Sequence, residues 1–197
     1  MATLAQIYLA SQSPRRRELL KQIGVTFRVL ASNVDEAALP RETPAAYVQR
    51  IARMKAEVAW RRIAAQRQTP RPVLAADTAV IVGRRILGKP ADDTEAQAML
   101  QALSGRTHQV VTAVALSYEK KTKLAISTTA VTFRRLVAHE IARYAASGES
   151  HDKAGAYGIQ GLAATFITRI EGSYSGVMGL PLFETTKLLK IFGIPVL

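Results

Sequence analysis

Val73-Leu74-Ala75-Ala76-Asp77-Thr78-Ala79-Val80-Ile81-Val82 is apolar at every position except Asp77 and Thr78. Read alone, the run is a strand buried on both faces, and a carboxylate placed inside it carries a large desolvation cost unless it is paired. Two readings of Asp77 follow. It satisfies backbone N–H groups at a bulge or strand end, or it is kept for a ligand. The segments on either side, which are cationic and glycine-bearing, favour a phosphorylated ligand held against this carboxylate.

Outward from that strand, helical and extended patterns alternate. Upstream, a short strand at residues 7–10 leads through Ser11-Gln12-Ser13 into a helix at 14–23, with Ser13 as N-cap, Pro14 at the first helical position and Gly24 as terminator. A second strand at 26–30 and a polar loop with Asp35 and Glu36 follow. Thr43-Pro44 then opens a longer helix to about residue 66, and Thr69-Pro70-Arg71-Pro72 is a stiff connector into the central run. Downstream, Gly83-Arg84 turns the chain back toward Lys89-Pro90, and a helix at 94–103 follows. A hairpin comes next, with strands at 107–117 and 123–134 about a charged turn at 119–121. A short helix at 138–146, a strand at 164–170 and a C-terminal helix at 181–192 complete the series. Strands and helices alternate around at least one antiparallel pair, so the fold class is α/β with a mixed sheet and flanking helices.

At 197 residues the chain is one sizeable domain, or two lobes sharing a sheet. Cysteine is absent, which removes disulfides, thiolate metal sites and Cys nucleophiles. The N-terminus lacks a basic segment ahead of its apolar residues and no apolar stretch reaches ~20 residues, so a cytoplasmic protein without a membrane span is expected. Lys plus Arg outnumber Asp plus Glu by 27 to 15, a formal +12, which selects anionic partners without choosing among nucleic acid, membrane surface and polyanionic small molecules.

Arg15, Arg16 and Arg17 occupy the first turn of the first helix, where the macrodipole is already positive. Cations there are destabilising unless an anion is bound, and N–H groups, guanidinium groups and the hydroxyls of Ser11 and Ser13 together suit a phosphate. Three consecutive helical residues fan over roughly 200°, so at most two of these arginines face one ligand. A solvated basic patch is the alternative. In the second helix Val48, Ile51, Ala52, Lys55, Val58 and Ala59 share the stripe expected to meet the core. Lys55 either snorkels to solvent or is aimed at an internal anion. His108, His139 and His151 lack the spacing of zinc ligands, read as surface histidines and receive no role. The segment 152–161 matches neither the P-loop nor the dinucleotide fingerprint and reads in isolation as a structural turn.

Taken in order, several motifs resemble the Maf family of nucleotide pyrophosphatases. They are Ala10-Ser11-Gln12-Ser13-Pro14-Arg15-Arg16 with Glu18-Leu19-Leu20, Ala76-Asp77-Thr78, Leu87-Gly88-Lys89-Pro90, and Leu103-Ser104-Gly105-Arg106-Thr107-His108-Gln109-Val110. Asp152-Lys153-Ala154-Gly155-Ala156-Tyr157-Gly158-Ile159-Gln160-Gly161 and the run from Gly172-Ser173-Tyr174 to Gly179-Leu180-Pro181 complete the set. The resemblance is collinear from first strand to last helix. It implies a single Maf-like domain over 1–197, two lobes around a central cleft, a nucleoside triphosphate substrate and a homodimer. It also implies that Asp77 is the proton acceptor and that Glu36 and Asp77 form the acidic side of a site for Mg²⁺ or Mn²⁺. Ser11, Arg15, Arg16, Lys55 and Lys89 then contact the phosphates.

Arg15, Thr78 and Gln160 resemble the branch acting on dTTP and UTP. In the branch acting on 7-methyl-GTP, Gln replaces Thr78 and Glu replaces Gln160. A neutral amide pairs with a uracil edge as donor and acceptor, whereas a carboxylate suits the N–H donors and cationic ring of methylguanine. Gly176 and Gly88 depart from the family, which often has Asn at the first position and Glu at the second. Three rivals stand beside this reading. A nucleic-acid-binding module fits the charge and the basic pairs Arg61-Arg62 and Lys120-Lys121 but leaves Asp77 unexplained. A regulator of septum formation is another, through an association the family carries. The inosine triphosphate pyrophosphatase group is the nearest in reaction, but its first phosphate loop has Asn and Lys where this chain has Ser13-Pro14-Arg15.

Overall fold

The computed structural model describes residues 6–196. Its strands are β1 (Ile7–Leu9), β2 (Phe27–Val29), β3 (Val73–Val82), β4 (Arg85–Leu87), β5 (Thr107–Tyr118), β6 (Lys121–Phe133) and β7 (Ile167–Glu171). The helices are α1 (Pro14–Gln22), α2 (Pro44–Ala65), α3 (Asp93–Leu103), α4 (Ala138–Ala145), α5 (Tyr174–Val177) and α6 (Leu182–Ile191). The seven strands form one sheet in the order β2-β1-β3-β5-β6-β7, with β4 paired to β3 off that path. β1 runs parallel to both β2 and β3, while β4 is antiparallel to β3 and β7 to β6. The expected mixed α/β class is the one observed. No helix among the described residues is long and apolar enough to cross a membrane.

The chain divides into two compact units. The first comprises 1–77, 112–127 and 179–197; the second comprises 78–111 and 128–178. In the first unit, β1 supplies a fully buried Ile7 and Leu9, and its parallel register with β3 sets Tyr8 opposite Val73 and Leu9 opposite Leu74. Helix α1 starts as the sequence dictates: Ser13 is the N-cap, its hydroxyl accepts from Arg16 N, and Pro14 fills the first position with its preset φ. Helix α2 repeats the device with Thr43 and Pro44. Its buried stripe is Val48, Ile51, Ala52, Ala56, Ala59 and Ile63, so Ala56 and Ile63 stand where Val58 was expected.

The second unit packs an apolar core from β3, α3, β5, β6 and α4, including Val80, Leu100, Leu103, Val110, Phe133, Ile141, Tyr144 and Phe166. Two expectations fail here. His108 is not a surface residue: it is 2% exposed, because β5 alternates faces and His108 shares its inward side with Val110. Its Nε2 meets the Tyr157 hydroxyl at 2.8 Å, and burial draws its pKa down to about 4, so the ring is neutral. The strand expected at 164–170 begins later, at Ile167, since 162–166 winds into a 3-10 turn whose Phe166 is buried in the core.

Candidate active site

The first unit holds six of the sequence-nominated residues, Ser11, Arg15, Arg16, Glu36, Lys55 and Asp77. Asp77, on β3, has a side chain only 9% exposed, and its Oδ1 accepts a hydrogen bond from Lys55 Nζ at 2.8 Å. The same ammonium lies 2.7 Å from Glu36 Oε1. Lys55 therefore does not snorkel. It leaves the apolar stripe of α2 to stand between two carboxylates, one buried and one half-exposed, which explains a lysine on a core-facing helix surface.

Around Asp77 the fields oppose one another. Burial pushes its carboxyl above the ordinary carboxylate range, the Lys55 and Arg16 charges pull it down, and Glu36 adds a smaller upward push. Burial likewise draws the Arg16 guanidinium below its usual value, while Asp77 opposes that shift. The result is a buried carboxylate more basic than a surface one and matched by cations, the property a proton acceptor needs.

Arg16 is fixed from the first turn of α1. Its Nε donates to the Gly179 carbonyl at 2.7 Å and Nη1 to Ser11 Oγ at 3.3 Å. Ser11 Oγ also accepts from Ser13 N at 3.2 Å, so that hydroxyl is already an acceptor twice over and its own proton is left to donate. Arg15 is half-buried beside it and contributes a charge that Arg16 feels.

Sequence reasoning missed the residues that hold the Glu36 loop. The Tyr47 hydroxyl donates to the Glu36 carbonyl at 3.0 Å, and Arg50 Nη2 donates to the Ala37 carbonyl at 2.9 Å. Arg50 is itself locked by two 2.7 Å bonds to Glu42, whose carboxylate also accepts from Leu39 N. Burial, then the charges of Asp77 and Glu36, push the Tyr47 phenol up to about 12. The only local signal was the spacing of Tyr47 and Arg50, which places both on one side of α2.

Thr78, Lys89 and Gln160 belong to the second unit. Thr78 follows Asp77 in β3 and is partly exposed; Lys89 and Gln160 are exposed. The loop carrying Lys89 is tied to the 152–161 segment by Gly155 N, which donates to the Gly88 carbonyl at 2.9 Å. Gly155 has φ 71°, and a Cβ there would lie 2.8 Å from a Val80 methyl, so only glycine permits this approach to β3. His139 and His151 are exposed, as expected.

Glu36 and Asp77 converge on one cationic point and offer hard oxygen donors, which suits a divalent ion completed by substrate phosphates. Among the described residues no group of three or more His, Cys, Asp or Glu could hold a metal by itself. A buried carboxylate, a bridging lysine and a cationic helix start are the kinds of group that hydrolysis of a phosphate anhydride draws on.

The comparisons agree with that class. The profile of the Maf-like protein family matches residues 6–192, and the chain belongs to the Maf family. A protein of Nitrosomonas europaea named dTTP/UTP pyrophosphatase is 55% identical, with 96% of each chain covered. Proteins of the same name from Methylobacillus flagellatus and Cupriavidus metallidurans are 54% and 53% identical, covering 98% and 95% of this chain and 96% and 97% of their own. Among solved structures, the Staphylococcus aureus Ham1 protein is similar at a TM-score of 0.45 and 19% identity over 64% of this chain and 71% of that one, too loosely to bear on function.

Proposed function

We propose that this protein hydrolyses dTTP and UTP to the nucleoside monophosphate and pyrophosphate. One observation carries the mechanism: the Lys55 ammonium lies 2.8 Å from Asp77 and 2.7 Å from Glu36, and the Arg16 charge acts on the same buried carboxylate. The substrate comes from the names of relatives matching nearly the whole chain.

Water attacks the α-phosphorus, a new P–O bond forms, and the bond from that phosphorus to the α–β bridging oxygen breaks, so pyrophosphate leaves with the electron pair. Asp77 takes the water proton. Burial raises its basicity, and Lys55 and Arg16 keep the carboxylate form available. Arg15, Arg16, Lys55 and Lys89 offset charge on the triphosphate and the departing pyrophosphate, the electrostatic work on which phosphoryl transfer depends. Ser11 donates its remaining O–H to a phosphate oxygen. Thr78 and Gln160 read the base, the Gln160 amide offering both a donor and an acceptor to a uracil or thymine edge.

Glu36 and Asp77 would hold the divalent cation, Mg²⁺ or Mn²⁺, which when bound neutralises phosphate oxygens and acidifies water. The same reading has the enzyme in the cytoplasm, as a homodimer, acting on free nucleotides rather than nucleic acid. The test is a panel of nucleoside triphosphates with Mg²⁺ or Mn²⁺, scored for pyrophosphate against orthophosphate. Pyrophosphate release from dTTP and UTP ahead of other nucleotides is expected. Orthophosphate as the first product, or no preference for these two bases, would overturn the assignment.

A further inference from the structure

Gln160 sits on a turn closed by Gly161 N donating to the Gly158 carbonyl at 3.0 Å, with buried Ile159 and exposed Gln160 at its centre. Both flanks of that turn are held by one connected pair of side chains. Entering it, Gly158 N donates to the Tyr144 hydroxyl at 3.0 Å. Leaving it, Leu162 N donates to Glu149 Oε2 at 2.9 Å. The pair is joined because the Tyr144 hydroxyl donates to Glu149 Oε1 at 2.8 Å. Each oxygen of the carboxylate thus has one assigned donor, and the phenol is acceptor and donor at once.

The anchors of this bracket are themselves fixed. Tyr144 is 4% exposed on α4 and packs edge-on against Phe166 with ring centroids 5.2 Å apart. Burial and the bond to Glu149 raise its pKa above the usual phenol value, so it stays a protonated donor. Lys153 Nζ donates to the Glu149 carbonyl at 2.5 Å. The glycines are a condition of the arrangement. A Cβ at Gly158 would come 2.8 Å from the Lys153 stem, and one at Gly161 would overlap the Glu149 carboxylate.

We propose that Tyr144 and Glu149 are positioning residues for substrate selection: together they clamp the 158–161 turn so that Gln160 is presented to the base in one conformation. This rests on the base-reading role given to Gln160 above. Neither residue touches the substrate. A turn that begins and ends on glycine, at 158 and 161, has many accessible conformations once its ends are released, and affinity for the base falls by the fraction of time the competent one is populated.

The experiment measures KM and kcat for UTP in wild type, Tyr144→Phe, Glu149→Gln, Gln160→Ala, and each bracket variant combined with Gln160→Ala. Glu149→Gln keeps one acceptor oxygen and loses the other; Tyr144→Phe loses both the Gly158 and the Glu149 contacts while keeping the ring in the core. Glu149→Gln, which loses one hydrogen bond, should raise KM ~10-fold, and Tyr144→Phe, which loses two, should raise it at least as much, each with kcat within about two-fold. Added to Gln160→Ala, neither should raise KM further, since the residue being positioned is gone. Losses that add to Gln160→Ala, a fall in kcat with unchanged KM, or wild-type kinetics in Glu149→Gln would show that the bracket serves only the fold. An unchanged KM in Gln160→Ala with raised KM in the bracket variants would instead remove Gln160 from base reading, and this proposal with it.

Discussion

Replacing Lys55 by Met keeps the apolar stem in α2 and removes one charge from between Asp77 and Glu36. At 2.8 Å and an effective dielectric of ~20 the gross attraction to Asp77 is about 6 kcal/mol, most of which offsets the cost of burying both groups. The net loss at neutral pH should be ~2–3 kcal/mol, because Asp77 is left buried with Arg16 as its remaining cation, while the half-exposed Glu36 is rehydrated. The sign with pH is fixed. Asp77 already has a raised pKa from burial, and Lys55 opposes that rise, so its removal lifts the value further. The native state then binds more protons than the unfolded one between the ordinary carboxylate value and the raised one, and stability falls as pH rises through that window. Denaturant unfolding of wild type and Lys55→Met from pH 4 to 8 should show a deficit that is small at acid pH and full at pH 8. The acid limb of kcat/KM for UTP should move upward in the same variant. In Lys55→Met with Asp77→Asn, the deficit should lose its pH dependence, because the carboxylate that titrates is gone while the Arg16 charge stays. A pH-independent deficit, or a stationary acid limb with lowered activity, would mean that Lys55 serves phosphate alone and does not tune Asp77.

His108 is buried neutral with its pKa drawn to about 4 from 6.5, so the unfolded chain binds more protons between those values. Wild-type stability should therefore fall by up to ~3 kcal/mol as pH drops from about 6.5 to 4, and His108→Phe should flatten that part of the curve in urea melts. Tyr47→Phe removes the phenol bond to the Glu36 carbonyl and should lower kcat/KM ~3–10-fold with more Mg²⁺ needed for half-maximal rate, measured by metal titration. Thr78→Gln with Gln160→Glu should reduce efficiency on UTP relative to 7-methyl-GTP, since the new carboxylate cannot donate to a uracil carbonyl. An unchanged ratio would take both residues out of base recognition.

Much of the site was legible because its residues break local rules. Asp77 interrupts a buried run, Lys55 interrupts an apolar stripe, and the arginines of α1 oppose its dipole; the structure resolves the first two conflicts with one ion-pair triad. The proline-capped starts of α1 and α2 were equally plain, since the cap and the preset φ act within a few residues. What stayed hidden depends on contacts far apart in the chain. Tyr47 and Arg50 are ordinary surface-type residues until the loop at 36–37 folds back on them. The lack of zinc-ligand spacing on which the three histidines are read as surface residues says nothing of burial, whereas for His108 the alternation with Val110 carries that signal. The run 162–166 is apolar enough for a strand, but its first N–H is taken by Glu149 and the ladder begins only at Ile167.

Hydrolysis of UTP in ¹⁸O-enriched water, followed by mass analysis of both products after a single turnover, tests the central claim most directly. Attack on the α-phosphorus puts one ¹⁸O in UMP and none in pyrophosphate. Label in pyrophosphate, with unlabelled UMP, would place the attack on the β-phosphorus and contradict the account.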